Sequence, residues 1–481
     1  MEHTKLSAAI NKTERRATVV GSALLLTAGL SGVLPHDVEA KPAGYTFTLV
    51  ATLSDPAPQG GTFVNDFEPG GLNSLGDMAF GADVSAGGEG AFLGRKGQIT
   101  ELGRSDDPAP GGGTFDAGFL GPVALNDQGD MAFDFLLSPF TIPPPLGVNA
   151  GAYRYSHTTH SVTAVVTPFV TPVPGGGTFQ GVSFQPTINN RGDIAFAGIV
   201  ETDQGIHVPG EDYIGLGVGI FRTDPKGQSA QVVVPGDPAP GIGKKFDWAV
   251  EPWINDGDDV SFVGHIAGEE AVIPGFPPQA ESISALGNLY VKQSGTGKIY
   301  TIVHAGDSAP GGGNFRSVFN DVMNNRGDIV FDGDLTQPPD ANQSIGVFLA
   351  SGDKITAIAR PGDAMPGGGK LVNASIVNGN VHVNNPTDVV FSGVLDTDTG
   401  GVPDTGLFQS SHGQLSVIAR TGTKIPDVGT VFALASLETV FPPPPIDTTN
   451  SGAINNDRGQ VLFCTTLTDG RVVLLLAMPK P

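Results

Sequence analysis

The chain repeats one short pattern, in which an Asn-x-x-Gly turn leads into a brief apolar strand that ends in phenylalanine. Four close copies contain the turn pairs Asn73 and Gly76, Asn126 and Gly129, Asn189 and Gly192, and Asn324 and Gly327. Weaker copies end at Phe262, Phe391 and Phe463, and the last of them has the turn pair Asn456 and Gly459. Self-similarity at a long period is typical of architectures that stack one supersecondary unit on the next. The repeat therefore constrains the fold before any residue is given a role.

Each unit contains four stretches of strand length, bounded by Gly, Pro, Asn and Asp. In the third unit they are residues 182–188, 193–198, 219–222 and 231–234. Short runs without a 3.6-residue period indicate β-strands. Asn at the first turn position can accept the backbone N–H two residues later, and Gly at the fourth position adopts the positive φ that closes the turn. Two units have Asp258 or Thr387 in place of this Gly, and we expect their turns to be distorted or differently closed.

A second repeated loop connects the units. Its fullest form is Asp-Pro-Ala-Pro-Gly-Gly-Gly, and its variants begin at Asp55, Asp107, Asp237, Asp307 and Asp363. Proline removes a strand donor and glycine lets the chain reverse, so this loop is expected to end one sheet and begin the next. A phosphate-binding loop is not indicated, because neither the Gly-Lys-Ser/Thr continuation nor a following helix is present.

The number of units predicts a closed ring. The seven motif phenylalanines are 53 to 72 residues apart, so seven units nearly fill residues 41–481. Four-stranded units repeated four to eight times describe a β-propeller. Residues 45–53 match a fourth strand and residues 472–478 match a third strand, so pairing of the two completes the seventh sheet. We predict an all-β, seven-bladed β-propeller; a β-solenoid and two β-sandwich domains are the alternatives.

Alternating strand direction sorts the loops of such a propeller onto two faces. The Asn-x-x-Gly turns lie on one face, and the Asp-Pro loops lie on the other. That second face also receives the irregular connections between the second and third strands, namely residues 135–148, 198–217, 264–286, 332–344 and 392–405. Loops displayed by a rigid scaffold often carry function, so this loop-rich face is the predicted binding face.

Charge and cysteine content limit the partners. The formal net charge of −23 disfavours nucleic acid and anionic lipid, and leaves neutral glycans, proteins and cations as ligands. The one cysteine, Cys464, can form no intramolecular disulfide. We expect a monomer that has an extracellular glycan or protein partner and binds no nucleic acid.

The first forty residues predict an export signal. Basic residues precede an apolar run at 19–34, and Val38 and Ala40 provide small residues at the −3 and −1 positions of a signal-peptidase site. A pair of arginines leaves both the general secretory and the twin-arginine routes open. No later run is long enough to span a bilayer. We predict a signal peptide at 1–40, one propeller domain of seven repeats at 41–481, and a secreted, periplasmic or cell-surface protein.

The export signal and the Asn-x-x-Gly-Asp-Met/Ile-Ala-Phe units together resemble the bacterial NxxGxxAF tandem-repeat family, the secreted "choice-of-anchor" proteins. The resemblance covers residues 45–478. Members of this family often carry varied C-terminal surface anchors. This chain ends without a sorting tail, so a released or periplasmic protein is expected. The resemblance implies no established activity or catalytic residue.

Two groups of residues are candidates for binding. Asp396 and Asp398 have the i, i+2 spacing of calcium-binding loops but lack the distal Glu of an EF-hand, so Ca²⁺ is a candidate cofactor. Trp248 and Trp253 flank Glu251 in the first strand of the fourth unit, which the other units do not share. First strands line the channel of a propeller, so this aromatic pair could stack on a sugar ring, with core packing as the alternative. No hydrolase motif is present, and no catalytic residue is assigned.

Two functions are consistent with these observations. The first is a secreted, non-enzymatic module that recognises a glycan, a protein or a cation on its loop-rich face. The alternative is an extracellular polysaccharide hydrolase or lyase, which the acidic connections and the two tryptophans suggest. Carboxyl groups that converge in a deep central pocket would favour the enzyme, and a shallow acidic or apolar face would favour the binding module. Propellers host both functions, so the fold alone does not choose.

Overall fold

The computed structural model describes residues 44–85, 87–116, 123–138, 150–202, 206–208, 211–213, 215–269, 287–336, 344–374, 381–399, 401–434 and 452–480. These residues form β-strands, turns and loops. None of the described segments contains a helix that is long and apolar enough to cross a bilayer.

The strands form seven blades, and the first described strand, β1 (Tyr45–Thr52), belongs to the last blade. Blade 1 contains β2 (Phe63–Leu72), β3 (Met78–Val84), β4 (Gly88–Arg95) and β5 (Gln98–Arg104). Blade 2 contains β6 (Thr114–Phe115), β7 (Ala124–Leu125), β8 (Met131–Ser138), β9 (Ala150–Ser156) and β10 (Ser161–Val166). Blade 3 contains β11 (Gly181–Ile188), β12 (Ile194–Glu201), the separate hairpin β13 (Ile206–Val208) and β14 (Glu211–Tyr213), then β15 (Leu216–Thr223) and β16 (Ser229–Val233).

The remaining blades follow the same order. Blade 4 contains β17 (Phe246–Ile254), β18 (Val260–Ile266), β19 (Asn288–Lys292) and β20 (Ile299–Val303). Blade 5 contains β21 (Phe315–Met323), β22 (Ile329–Leu335), β23 (Ile345–Ser351) and β24 (Lys354–Ala359). Blade 6 contains β25 (Leu371–Ala374), β26 (Val381–Val383), β27 (Val389–Thr399), β28 (Val402–Ser411) and β29 (Gln414–Arg420). Blade 7 contains β30 (Lys424–Ile425), β31 (Gly429–Ala433), β32 (Ala453–Asn455), β33 (Val461–Leu467) and β34 (Val472–Pro479).

The predicted closure of the ring is confirmed. β1 pairs antiparallel with β34, with Tyr45 opposite Pro479 and Thr52 opposite Val473. β34 pairs in turn with β33, so the seventh sheet combines strands from the two ends of the sequence. The all-β, seven-bladed propeller predicted from the repeat is therefore the observed fold.

The motif phenylalanine fills the space between the sheets. Phe80 on the second strand of blade 1 stacks on Phe92 of the third strand, with ring centroids 5.4 Å apart. The equivalent pair in blade 5, Phe331 and Phe348, lies at 5.7 Å in the same stacked arrangement. All four rings are fully buried. Burial of such a side chain contributes about 1.5–3 kcal/mol, which explains why the repeat retains the aromatic residue.

The first strands of the blades surround the central channel. Each contacts the first strand of the next blade around the complete ring, through β2, β7, β11, β17, β21, β26 and β32. One side of such a strand faces the channel and needs no ladder partner, so a proline is tolerated there. Pro186 of β11 and Pro252 of β17 occupy this position.

A belt of asparagine side chains joins the blades at the Asn-x-x-Gly turns. As predicted, the Oδ1 atom of Asn73 accepts the N–H of Leu75, at 3.0 Å, and it also accepts the N–H of Asp77, at 2.9 Å. The amide of the same side chain donates to the backbone carbonyl of Asn126 in the next blade, at 3.2 Å. The same inter-blade bond is made by Asn126, Asn189, Asn324, Asn384 and Asn456. Asn255 differs, because its amide faces the sulfur of Met323 at 4.0 Å.

The two turns without glycine keep the same shape, so the expected distortion was wrong. Asp258 and Thr387 adopt φ values of 63° and 72°, close to those of the glycines they replace. Both turns close with the usual backbone bond to the belt asparagine, at 3.1 and 3.0 Å. The strain is offset by side-chain bonds: Asp258 pairs with Arg222 at 2.6 Å, and Thr387 donates to Asp328 at 2.8 Å.

A second ring of hydrogen bonds runs beside the belt and is interrupted between blade 7 and blade 1. The second turn residue of each blade accepts the N–H of its counterpart in the preceding blade, as Asp127 does from Ser74 at 2.7 Å. The same bond is accepted by Asn190, Asp256, Asn325, Asn385 and Asp457. Ser74 is the seventh member, and its short side chain makes no such bond to Asp457 within the described part of the chain.

The substitution Ser74→Asn is expected to complete this second ring and to stabilise the protein by about 1 kcal/mol, the net value of one hydrogen bond. Asparagine is preferred to aspartate because both neighbours, Asp127 and Asp457, are carboxylates. Urea denaturation measures the change as a higher midpoint at unchanged slope. Leu75→Asn, at the exposed next position, is the matched control. An equal shift in both variants would show that the gain does not come from the ring.

Candidate functional site

The first strands can be compared position by position, because each ends at a belt asparagine. The position four residues before this asparagine is held, in the described blades, by Pro69, Gln185, Glu251, Asn320 and Gly452. The position two residues before it is held by Gly71, Ala124, Thr187, Trp253, Val322, His382 and Ile454. Residues common to all blades serve the scaffold. The carboxyl of Glu251, the indole of Trp253 and the imidazole of His382 have no counterpart at these positions in the other described blades, and such departures are where a functional site is expected.

The opposite side of the channel is tightly packed. A Cβ atom on Gly70 would lie 2.1 Å from the carbonyl oxygen of Val123, and a Cβ atom on Gly71 would lie 2.5 Å from the Cβ of Leu125. Real atoms do not approach so closely, so only glycine allows the first strands of blades 1 and 2 to meet. The larger side chains are therefore concentrated on the side formed by blades 4 to 6.

β17 and β21 are bulged at equivalent points. Their pairing with β18 and β22 shifts register just before Trp253 and just before Val322. Inside the bulges, Glu251 and Asn320 have φ values of 53° and 51°. A positive φ costs a residue other than glycine on the order of 1 kcal/mol, and such strain is concentrated at functional positions. The bulges also direct these two residues toward each other.

Glu251 and Asn320 are connected across the boundary between blades 4 and 5. The backbone N–H of Asn320 donates to Oε2 of Glu251 at 2.9 Å. The side-chain amide of Asn320 donates to Oδ2 of Asp332 on β22 at 3.1 Å. Next to them, the hydroxyl of Ser261 on β18 donates to Oδ2 of Asp321 at 2.5 Å. Three carboxyl groups from three strands thus share one polar cluster, which we call the channel cluster: Glu251, Ser261, Asn320, Asp321 and Asp332.

The three carboxyl groups differ in their access to solvent. Asp332 has no exposed surface and Asp321 is 5% exposed, whereas Glu251 is partly exposed. The Oδ1 atoms of Asp321 and Asp332 are buried and have no hydrogen-bond partner among the described residues. An ionised carboxylate with an unpaired buried oxygen is strongly disfavoured. Glu251 is therefore the carboxyl group of the cluster that a ligand can reach.

Burial sets the protonation of the channel cluster. It raises the pKa of Glu251 to about 7, although the N–H of Asn320 stabilises the carboxylate. Burial also raises the pKa of Asp321 and of Asp332 well above the usual range, and in both cases proximity to Glu251 adds to the shift. Desolvation is thus the dominant cause for all three groups. Burial therefore favours the un-ionised forms of the two aspartic acids, and Glu251 is close to its midpoint at neutral pH.

Trp253 follows Glu251 by two residues on β17 and is the nearer of the two to the asparagine belt. Its ring extends past the first strand of blade 5 to His382 of blade 6, with ring centroids 5.7 Å apart and an interplanar angle of 74°. His382 is neutral, because burial lowers its pKa to about 4. Nδ1 of His382 lies 2.7 Å from the amide oxygen of Asn455, whose NH₂ group is engaged by the carbonyl of Asp388 at 2.9 Å. This orientation makes Nδ1 the protonated nitrogen of His382.

Trp248 is placed elsewhere. Its side chain is 4% exposed and stacks on the ring of His265, with centroids 5.0 Å apart and nearly parallel planes. Nδ1 of His265 lies 3.4 Å from Oδ2 of Asp247. Of the three candidate residues on β17, Glu251 and Trp253 are partly exposed, and Trp253 also packs against hydrophobic residues of blades 5 and 6, whereas Trp248 lies in the core between blades 3 and 4.

Asp396 and Asp398, the predicted calcium ligands, lie on the hairpin of β27 and β28. Oδ1 of Asp396 accepts the backbone N–H of Lys370 at 2.6 Å, and Oδ1 of Asp398 accepts that of Gly401 at 3.2 Å. Both side chains are exposed. No group of three or more His, Cys, Asp or Glu side chains arranged to hold a metal ion is found within the described ranges. Most of the other long connections on the loop-rich face lie outside those ranges.

Sequence reasoning identified Glu251 but missed the residues that surround it. These residues are isolated polar residues in strands that otherwise have the usual apolar pattern: Ser261, Asn320, Asp321, Asp332 and His382. Alignment of the seven units on their asparagines would have found His382, because no other described blade has a titratable side chain at that position. Asn320 shares its position with the polar Gln185, and Asp332 shares the position after the motif phenylalanine with Asp134, so neither stands out.

The matches to known proteins extend over most of the chain. A family model described as "Family of unknown function (DUF7453)" matches residues 35–481. No curated protein matches the sequence. Among solved structures, the acylaminoacyl peptidase of Pyrococcus horikoshii is 10% identical, with a TM-score of 0.42, over 83% of this chain and 48% of the peptidase. A puromycin-hydrolyzing peptidase of Mycobacterium tuberculosis is 10% identical, with a TM-score of 0.47, over 89% of this chain and 54% of that one.

The Cps50 (Swd1) β-propeller domain from "Myceliophteria thermophila" is 9% identical, with a TM-score of 0.39, over 89% of this chain and 99% of the domain. This chain spans about half the length of the two peptidases that it matches. None of these likenesses bears on its activity or its ligand.

Proposed function

This chain belongs to the DUF7453 family of unknown function, and we propose that it is a secreted, non-enzymatic binding module that takes a glycan into its central channel. One observation carries the proposal. The partly exposed residues Glu251 and Trp253 lie two positions apart on β17, at channel positions where the other described blades have neither a carboxyl nor an indole side chain.

The chemistry of these two groups suits a sugar. A pyranose ring has an apolar face that packs against an indole, and hydroxyl groups that bond to carboxyl and amide side chains. Along their strands, Trp253 and His382 are nearer to the asparagine belt than Glu251 is, so a ligand that contacts Glu251 enters from the opposite face, which carries the Asp-Pro loops. That face is the loop-rich face predicted from the sequence.

A polysaccharide hydrolase is the second candidate, because the pKa of Glu251, about 7, suits a proton donor. Glycoside hydrolysis also needs a second, ionised carboxylate as nucleophile or base. Burial raises the pKa of the neighbouring Asp321 and Asp332 well above the usual range and so disfavours the ionised form of either group. The channel cluster is thus poorly suited to supply the charged partner, which favours binding over cleavage.

Binding of the purified protein to a glycan array, with and without Ca²⁺, tests this proposal. The same glycans are assayed for cleavage. Trp253→Leu is expected to weaken retention at least tenfold, and Tyr300→Ala, which removes an exposed ring from the outer strand β20, should leave it unchanged. Cleavage of a retained glycan would favour the hydrolase. Equal binding by the two variants would place the ligand outside the channel. Absence of binding to every glycan on the array would contradict the proposal.

A further inference from the structure

We propose that the channel site is selective for a neutral sugar, that Glu251 meets this sugar as an un-ionised hydrogen-bond donor, and that uronic and sialic acids are rejected. This inference rests on the proposed function and specifies the ligand. Three features of the channel cluster, and a fourth of the whole chain, support it.

The first feature is the set of bonds that Glu251 already makes. Its Oε2 atom is occupied by the N–H of Asn320, and the residue is partly exposed in the channel. Because the N–H takes one oxygen as an acceptor, the other oxygen is the atom that can carry a proton toward a ligand. An un-ionised carboxyl can donate to a sugar hydroxyl oxygen, which a carboxylate cannot do.

The second feature is the absence of positive charge. Among the described residues, no lysine or arginine contributes to the pKa of Glu251, Asp321 or Asp332. His382, the titratable group next to Trp253, is neutral above a pH of about 4. The cation at the far end of β21, Arg316, faces Asp334 at 3.3 Å. A carboxylate on the ligand would therefore meet no compensating charge in the cluster, and burial of such an unpaired charge is unfavourable.

The third feature is the pair of unpaired oxygens. Oδ1 of Asp332 and Oδ1 of Asp321 are buried without a hydrogen-bond partner in the described part of the chain, so no donor there would stabilise a negative charge on either atom. Ionisation of Glu251 would place a negative charge beside these two groups and beside any anionic ligand.

The fourth feature is the formal net charge of −23, which disfavours the approach of an anion before contact is made.

The test measures affinity for matched neutral and uronate oligosaccharides between pH 6 and pH 8, for the wild type and for Glu251→Gln. A ligand that binds only the un-ionised form should bind about tenfold more weakly at pH 8 than at pH 6, because the competent fraction falls by that factor around a midpoint near 7. Glu251→Gln keeps a neutral side chain of the same shape, so its affinity should not depend on pH.

Urea unfolding of the free protein gives a second readout that needs no ligand. The folded-state pKa of Glu251 lies above its ordinary value, so its stabilising contribution is present at low pH and is lost as the pH rises from about 4.5 to about 7. The wild type should therefore lose stability relative to Glu251→Gln between pH 5 and pH 8. Parallel stability curves would show that Glu251 is ionised as usual and would overturn the inference.

The affinity results separate the two proposals. Retention of neutral sugars with pH dependence that Glu251→Gln removes supports the inference. Equal retention of uronates, or neutral binding that ignores pH, overturns it and leaves the glycan-binding module in place. No retention of any sugar overturns both.

Discussion

A chain that lacks residues 45–52 should fail to form a soluble monomer. These residues are β1, the fourth strand of blade 7, and their loss exposes the edge of β34, whose apolar residues 472–478 would meet water. An unpaired apolar edge pairs readily with other chains, so aggregation is expected. The loss also removes Tyr45, which is buried against blade 6 and donates its hydroxyl hydrogen to Gln409 at 2.7 Å.

Size-exclusion chromatography and circular dichroism of residues 53–481 measure this effect, and residues 44–481 provide the matched control. A peptide of residues 45–53, added during refolding, should restore part of the monomer if the pairing of β1 with β34 is what is missing. A truncated chain that remains monomeric and unfolds at the same urea midpoint as the control would show that closure contributes little.

Asn126→Asp should destabilise the protein by about 2–4 kcal/mol at neutral pH. The change replaces one NH₂ group by an oxygen, in a side chain that is 4% exposed and lies 2.9 Å from the carbonyl oxygen of Asn189. A buried carboxylate opposite a carbonyl loses a hydrogen bond and gains a repulsion. The two N–H bonds within the turn survive, so the measured cost belongs to the bond between the blades.

The chain offers a control for this substitution at Asn255, the belt residue whose amide donates to no backbone carbonyl among the described bonds. Asn255→Asp should cost less than Asn126→Asp. The penalty at Asn126 should also shrink as the pH falls, because a protonated aspartic acid regains a donor and the folded state raises its pKa. Urea denaturation at pH 5 and pH 8 checks both points. Equal costs at the two positions would mean that burial alone, and not the inter-blade bond, explains the effect.

The fold could be predicted from the sequence because the same pattern of turn residues and strand residues occurs in every unit. Each unit carries the same turn chemistry, and the phenylalanine that ends the motif lies between the sheets in every blade. The complementary ends of the chain supplied the closure, which β1 and β34 confirm. The asparagine belt was not predicted. The turn explains why the side-chain oxygen of Asn126 accepts hydrogen bonds, but the bond that its NH₂ group donates depends on the distance to the next blade.

The site could be predicted only in part, for a related reason. Glu251 stood out because two tryptophans flank it, whereas Asp332 and Asn320 are single polar residues in strands with an ordinary pattern. Their meeting depends on the bulge of β21, which places the side-chain amide of Asn320 3.1 Å from Asp332 on the neighbouring strand β22. No local pattern in the sequence encodes that distance. At Asp258 and Thr387 the sequence predicted a change of the turn that the structure does not have. Side-chain interactions let these two residues adopt the turn conformation of glycine.

The way in which β1 meets β34 has a mechanical consequence. Tyr45 lies opposite Pro479, so both ends of the described chain leave the molecule from the same end of the same ladder, where the backbone N–H of Lys480 also bonds to the carbonyl of Gly44. Tension applied between these two ends would load the hydrogen bonds one after another, as in a zipper, and would not load them all together in shear. Unfolding by heat or denaturant would act on all seven blades, whereas a pull on the two ends would open the ring at a single seam.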